Sequence, residues 1–405
     1  MIILVVNCGS STVKCQLIRT DPEKTLARTL VEGLGGEDTT VSYDGPAGTR
    51  KYIKRMVEHQ EALEEILNVL SAPETGALHS LDEIEGVGHR VVHGGEKLTG
   101  STIITEAVAE IIREAIELAP LHNPAHLRGY RAASALLPKA VQVAVFDTAF
   151  HQTMPPEAYT YGLPHDYYTR YRIRRYGFHG TSHRFVSQRF AEIRHAPPAD
   201  FKLITCHLGN GCSACAIDRG RSVDTSMGFT PLEGLLMGTR CGDIDPAVIL
   251  YIMARENAGI PETDAVMNWR GGLLGISGIS NDMRTLMAAR GQGDGRAKLA
   301  IDAFCYRLKK YISAYFGVLN GADAVIFTGG IGEHQPLVRE LSCAGLDALG
   351  IRIDAEKNNS AVGVEADITA AGADTAVWVI PTNEELLIAR DTARCILDAR
   401  EGIYE

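Results

Sequence analysis

The succession of strands and helices along this chain predicts an α/β fold of two duplicated lobes. Two observations carry the expectation. An apolar strand, Ile2 to Val6, runs into the tight turn Asn7, Cys8, Gly9, Ser10, Ser11 and returns as a second strand to Ile18. The plan recurs in mid-chain, where Lys202 to Leu208 meets the turn Gly209, Asn210, Gly211 and comes back as a strand to Ile217. Helices and strands alternate after each hairpin, and 405 residues exceed what one core usually holds.

The remaining elements follow from periodicity and punctuation. After a turn at Asp21 and Pro22, apolar residues at helical spacing predict a helix over Met56 to Leu70, and Gly86 to His93 reads as a strand. Two helices come next. Thr105 caps the first, which Pro120 stops; the second is expected to take Asn123 as its cap, with Pro124 in its first position and Pro138 beyond its end. Val141 to Phe146 is a continuous apolar run, hence a buried strand, and it ends on Asp147. The second half gives a helix capped at Ser182, the central hairpin with its turn at Asp218 to Gly220, and a helix from Asp245 and Pro246. A long amphipathic helix from Gly295 to Leu319, a strand to Phe327, a helix after Pro336, a strand from Val377 to Ile380 and a helix from Asn383 complete it. That final helix is expected to return to the first lobe, and ligands to bind at the strand ends between lobes.

Composition narrows the function. With 45% hydrophobic and 22% charged residues the chain is an ordinary soluble globular protein. A formal net charge of −10 disfavours nucleic acid and anionic membranes as partners, so any bound anion must be drawn by local arginines and backbone amides. Nine cysteines lie scattered through apolar segments, which indicates a reducing compartment. The start MIILVV lacks a basic region and a cleavage site, and the expected location is the cytoplasm.

Glycine lets a backbone approach a bulky anion with its N–H groups turned inward, so the two hairpin turns and a third, Phe327 to His334 (FTGGIGEH), point to polyphosphate. Gly209, Gly211 and Ala214 match a dinucleotide fingerprint, but that motif needs a helix where this chain has the alternation of a returning strand. No G-x-x-x-x-G-K-[ST] string occurs, which excludes a P-loop. Cys206, His207, Cys212 and Cys215 alternate faces and read as buried thiols and a lone imidazole, not a zinc site. His179 and His183 are four apart without the glutamate of a zincin, and a helix starting at Ser182 would keep them off one face.

The chemistry lies in polar residues beside these turns. Arg90 interrupts an apolar strand, where a guanidinium is costly unless an anion meets it, and Arg240 sits in the glycine-rich loop GTRCGDIDP. Two arginines on separate loops suit a substrate pair carrying a carboxylate and a phosphate. Asp147, Asn7 and Glu384 are hard oxygen donors of the kind Mg2+ takes when it accompanies a nucleotide.

Across essentially the full length, the strings NCGSSTVK, GHRVVHGGE, LHNPA, FDTAFH, YGFHGTSH, HLGNG, GTRCGDIDP, GGIGE and PTNEE appear in this order. They resemble the acetate kinase family of the acetate and sugar kinase, heat-shock chaperone and actin superfamily. The resemblance implies a duplicated ribonuclease H-like (actin-like ATPase) fold with its active site in the interlobe cleft. It implies a first lobe of residues 1–148 plus 385–405, holding substrate and phosphate, and a second of 149–384, holding nucleotide and dimer contacts. The activity implied is reversible transfer of the ATP γ-phosphoryl group to acetate, giving acetyl phosphate and ADP with Mg2+ (Mn2+ as a substitute), in a cytoplasmic homodimer. Carried over by motif, Asn7 and Glu384 would bind the metal. Lys14, His207, Leu208, Gly209, Asn210 and Gly211, with Gly329, Gly330, Ile331, Gly332 and Glu333, would hold nucleotide, and Asp282, Met283 and Arg284 would flank the adenosine. Arg90 would bind the substrate carboxylate, and Val92, Leu121, Phe178 and Pro231 its methyl group. Asp147 would be the catalytic acidic residue, and His179 with Arg240 would stabilise the transition state.

Cys8, Thr12, His126, Cys241 and His334 depart from the commonest family pattern. Cys241, beside the key arginine, is a candidate oxidation-sensitive point, and His334 bears on base selectivity. Propionate or butyrate kinase is the near alternative, since one methylene in an apolar pocket is worth only about 1–3 kcal/mol. A sugar kinase would need an aspartate base and polar sugar contacts, and an actin- or chaperone-like ATPase would hydrolyse ATP without acetate.

Overall fold

The computed structural model describes residues 1–402 and divides the chain into two compact units, Met1–Phe150 with the segment from Asn383, and His151–Thr382. Glu384, expected at the end of the second lobe, therefore belongs to the first unit.

The first unit carries β1 (Ile2–Cys8), β2 (Thr12–Thr20), β3 (Glu23–Glu32), β4 (Thr40–Gly45), β5 (Gly48–Ile53), β6 (Ile84–Val91), β7 (Thr102–Ile103) and β8 (Val141–Phe146). They form one sheet in the order β5-β4-β3-β2-β1-β6-β8-β7. The antiparallel extension β3 to β5 is unheralded in the sequence reading. Its residues alternate polar with apolar, and β5 is largely exposed, so no apolar run announces it. The second unit carries β9 (Lys202–Leu208), β10 (Cys212–Asp218), β11 (Arg221–Thr225), β12 (Ala324–Thr328), β13 (Ala366–Asp367) and β14 (Ala376–Val379), in the order β11-β10-β9-β12-β14-β13. The duplication is now explicit. β3-β2-β1-β6-β8 and β11-β10-β9-β12-β14 share one connectivity, an antiparallel meander followed by parallel strands, the ribonuclease H-like order.

Both faces of the central strands β1, β6 and β8 are covered, which explains their continuous apolar character. Leu4, Val6 and Cys8 face a core shared with the helices His59–Ser71 and Asn123–Leu136. Ile3 and Val5 face the other way, toward Ile388, Ala389, Cys395 and Ile396 of the helix Glu384–Arg400. That helix lies close on β6. A Cβ on Gly88 would sit 2.4 Å from Thr392 Oγ1 and 2.7 Å from Ile388, so a larger residue there would push the helix off the sheet.

Two expected caps are corrected. His122, not Asn123, precedes its helix; Asn123 is fully buried and ties His93 O (3.0 Å) and Ile112 O (3.2 Å) instead. The helix expected from Ser182 begins at Gly180, with His179 in the left-handed region (φ 57°) as its cap. Thr105, Asp245, Asp294 and Asn383 do cap their helices through side-chain oxygens.

His89 in β6 is fully enclosed and bonds Gln142 Oε1 through Nε2 at 2.8 Å. Burial pushes its pKa from the ordinary 6.5 down to about 4. Over that window the unfolded chain takes up a proton that the folded unit refuses, so stability falls as pH falls, by up to about 1.4 kcal/mol per pH unit. His89→Gln is expected to flatten this part of a plot of urea midpoint against pH. An unchanged slope would remove His89 from the acid response.

Candidate active site

In the first unit the site follows from strand parity. Side chains of a strand alternate faces, so the rows Ile3–Val5–Asn7, Gly86–Gly88–Arg90 and Val143–Val145–Asp147 all run along the face covered by the helix Glu384–Arg400. β1, β6 and β8 are neighbours and parallel, which brings their polar C-terminal ends together. Lys14 is the cross-strand partner of Asn7. A cavity of 690 Å³ opens beside Asn7, Lys14 and Glu385 and runs over β2 to β5 past Gln16, Arg28 and Ser42.

Arg90 is gripped by Asp147. Nη2 donates to Oδ2 at 2.6 Å, and Nε donates to both carboxylate oxygens at 3.1 and 3.2 Å. Asp147 is 2% exposed, and Glu384 Oε2 lies 4.0 Å from Nε. Arg90 Nη1 makes no hydrogen bond among the described residues, so one edge of the guanidinium stays open to an anion. Glu384 is the strained member: burial first, then the carboxylates of Asp147 and Glu385, outweigh Arg90 and Lys14 and raise its pKa to about 7. Val92 is buried and donates its N–H to His126 Nδ1 (3.3 Å), whereas Leu121 is 68% exposed. Burial and the charge of Arg90 hold His126 down at about 3, neutral at any working pH.

In the second unit, the turn Gly209–Gly211 closes with Gly209 N–H donating to Gly211 O at 3.1 Å. A Cβ added to Gly211 would lie 3.3 Å from Arg240 Nη1 and 3.5 Å from His179 Cε1. The turn, the arginine and the histidine thus converge on one spot. Arg240 donates to Pro231 O (2.9 Å) and contacts Met237 Sδ (3.6 Å), and among the described residues no carboxylate lies within 4.0 Å of it. Burial with no carboxylate nearby lowers its pKa from the ordinary arginine value. Its loop is fixed from behind, since Gly238 N–H donates to Asn210 O (2.9 Å) and Asn210 Oδ1 accepts from Asn281 (3.0 Å). Phe178 is buried, and its carbonyl accepts from His151 Nε2 at 3.0 Å.

The third glycine turn is a short helix, Gly329–His334. The carboxylate of Glu333 bends back to accept from Gly329 N–H (2.8 Å) and Thr382 N–H (3.1 Å), so it shapes the turn. His334 likewise turns Nδ1 onto Gly330 O (3.1 Å). Asp282 caps the helix Met283–Gly291 by accepting from Arg284 N–H (2.9 Å) and pairs with the Arg284 guanidinium (2.9 Å), while Met283 is buried. Cys241 is half-buried and burial raises its thiol pKa, so little thiolate forms and its expected oxidation sensitivity finds no electrostatic support.

Two buried hydroxyls, Thr205 and Ser213, escaped the sequence reading, and a third, Ser182, was given the wrong task. Ser213 accepts or donates to both His179 Nδ1 (2.9 Å) and His183 Nε2 (2.7 Å), so those two histidines do converge, through a hydroxyl instead of along one helical face. Thr205 meets His183 Nδ1 at 2.7 Å. Ser182, expected as a cap, joins His207 Nδ1 (2.8 Å) to Thr382 (2.8 Å). The signal was present in the sequence: each of Thr205 and Ser213 is a polar residue inside an apolar strand.

The sequence profile of the acetokinase family matches residues 2–390. The acetate kinase of Dictyoglomus turgidum is 50% identical over 98% of each chain, and that of Desulfitobacterium hafniense 52% identical over 97% of this chain and 98% of its own. Among solved structures, an acetate kinase from Porphyromonas gingivalis superposes with a TM-score of 0.94 at 44% identity, covering 98% of this chain and 99% of its own. A propionate kinase from Francisella tularensis gives 0.90 at 41% identity, covering 97% and 99%.

Proposed function

The chain belongs to the acetokinase family, and from that premise we propose that it transfers the γ-phosphoryl group of ATP reversibly to acetate, giving acetyl phosphate and ADP. The observation that carries the reading is Arg240, a partly buried cation with no carboxylate partner among the described residues, set beside a glycine turn. Phosphoryl transfer asks for positioning and for neutralisation of charge on the equatorial oxygens, and Arg240 with His179 supplies both. The backbones of His207 to Gly211 and of Gly329 to Glu333, with Lys14, hold the nucleotide phosphates, and Asp282 to Arg284 flank the adenosine.

Acetate is already ionised at neutral pH and needs no general base. Arg90 takes its carboxylate through the open Nη1 edge, and Asp147, by chelating Nε and Nη2, aims that edge instead of removing a proton. Val92, Leu121, Phe178 and Pro231 take the methyl group. Asn7 and Glu384 offer a carboxamide and a carboxylate oxygen, a hard donor set that fits Mg2+ (or Mn2+) held jointly with nucleotide phosphates. Bound there, the ion would offset phosphate charge during transfer.

The first unit is thus the substrate lobe and the second the nucleotide lobe and dimer contact. The helix Pro246–Glu256, PAVILYIMARE, buries none of its residues, and Leu250, Tyr251, Ile260 and Trp269 are 60–78% exposed. Such an apolar surface suits a homodimer; sedimentation as a monomer would remove that assignment. Among the described residues no helix is long and apolar enough to cross a membrane, and nine free cysteines suit the cytoplasm.

The test is direct. Purified protein with ATP, Mg2+ and acetate is expected to form an acyl phosphate trapped by hydroxylamine, with kcat/KM for acetate above those for propionate and butyrate. ATP hydrolysis that ignores acetate would overturn the reading, and a preference for propionate would move it to the neighbouring activity.

A further inference from the structure

We propose that Thr205, His183 and Ser213 form a one-way hydrogen-bond relay that fixes the proton of His179 on Nε2. The catalytic consequence rests on the functional reading above, while the relay itself rests on geometry alone.

The chain of contacts is Thr205 Oγ1 to His183 Nδ1 at 2.7 Å, His183 Nε2 to Ser213 Oγ at 2.7 Å, and Ser213 Oγ to His179 Nδ1 at 2.9 Å. Thr205, His183 and Ser213 are each 0% exposed, so water does not complete any of these bonds. Burial, with His151 and His207 nearby, keeps His183 far below its ordinary pKa, so its ring is neutral and carries one N–H. Ser213 has one hydrogen to give.

Only two arrangements then satisfy every contact. In one, His179 Nδ1–H donates to Ser213, Ser213 to His183 Nε2, and His183 Nδ1–H to Thr205. That direction delivers a surplus proton to Thr205, whose hydroxyl has no other hydrogen-bond partner among the described residues, and a buried O–H without an acceptor is destabilising. In the other, Thr205 donates to His183 Nδ1, His183 Nε2–H donates to Ser213, and Ser213 donates to His179 Nδ1. Nothing is left over. His179 Nδ1 is then an acceptor and its proton resides on Nε2. His151 obeys the same logic by a different device, since its Nε2 faces the Phe178 carbonyl, which can only accept.

A histidine that stabilises charge on a transferring phosphoryl group must present an N–H, and a ring free to hold its proton on either nitrogen would present it only part of the time. Thr205, His183 and Ser213 are accordingly positioning residues. They touch no reacting atom and act through the tautomer of His179.

Nitrogen-15 spectra of the histidine side chains in the intact protein near pH 7.5 test the relay, with the His179 signals identified by their loss in His179→Asn. The expected spectrum shows His179 Nδ1 as a pyridine-type and Nε2 as a pyrrole-type nitrogen. In Thr205→Val, which deletes the first donor at constant shape, the His179 signals are expected to move toward a mixture of tautomers. kcat should fall about tenfold with the KM values for ATP and acetate unchanged, and Thr205→Ser should restore both. A proton on Nδ1 in the parent protein, or a Thr205→Val variant with parental ring shifts, overturns the relay. Should Thr205→Val not fold, the parent spectrum decides alone. Failure of the functional reading is distinguishable, because a protein without acetate-dependent turnover still reports its ring nitrogens.

Discussion

Replacing Arg240 by alanine is expected to lower kcat by about three orders of magnitude while nucleotide affinity stays nearly constant. The reason lies in what the side chain touches. Its hydrogen-bond partners are the Pro231 carbonyl and, weakly, the Met237 sulfur, neutral groups that leave the positive charge unspent. Charge on the equatorial oxygens is arranged most favourably for that fork in the transition state, so its removal costs kcat more than ground-state binding. A thousandfold loss corresponds to about 4 kcal/mol, within the range of arginines that serve phosphoryl transfer. Arg240→Lys keeps the charge without the planar fork and is expected to fall between the two. Steady-state rates at saturating substrates, with ATP affinity by calorimetry, check the result; near-parental turnover in Arg240→Ala would remove this residue from the mechanism.

Arg90→Ala is expected to do two things at once. The KM for acetate should rise by about 100-fold or more, in line with the loss of a charge-assisted carboxylate contact worth ~3 kcal/mol. Stability should fall by about 3–5 kcal/mol, because Asp147, 2% exposed, and Glu384 would face each other with their shared cation gone. The pH dependence has a definite sign. Burial already raises Glu384 from the ordinary 4.5 to about 7, and loss of the opposing Arg90 charge would raise its carboxyl further. A carboxyl raised in the folded state favours folding when protonated, so the variant should be relatively better off at pH 6 and lose ground through pH 8. Urea midpoints at the two values measure it; a variant equally destabilised at both would show that Glu384 does not sense Arg90.

The strands that carry the site were legible because they are buried on both faces and read as apolar runs with abrupt polar ends. Asn7, Arg90, Asp147 and His207 are those ends. What the sequence concealed is who binds whom. That Arg90 is chelated by Asp147, 57 positions away, depends on parity and neighbour order across three strands, which no local pattern encodes. Ser182 and Asn123 were misread as caps for a related reason. Both have the chemistry of a cap but stand inside the first turn of their helices, and tertiary partners, His207 in one case and the His93 carbonyl in the other, claim their side chains. The extension β3 to β5 was missed because a half-exposed meander lacks the continuous apolar signal that identified the central strands.

The helix Glu384–Arg400, which closes one face of β1, β6 and β8, also dictates an order of assembly. During synthesis the amino-terminal sheet emerges early, yet Ile388, Ala389, Cys395 and Ile396 reach it only after all of His151–Thr382 has left the ribosome. Until then Ile3, Val5, Val143 and Val145 stay uncovered. A nascent chain stalled before Asn383 would therefore hold every strand of the first sheet with one of its faces still open.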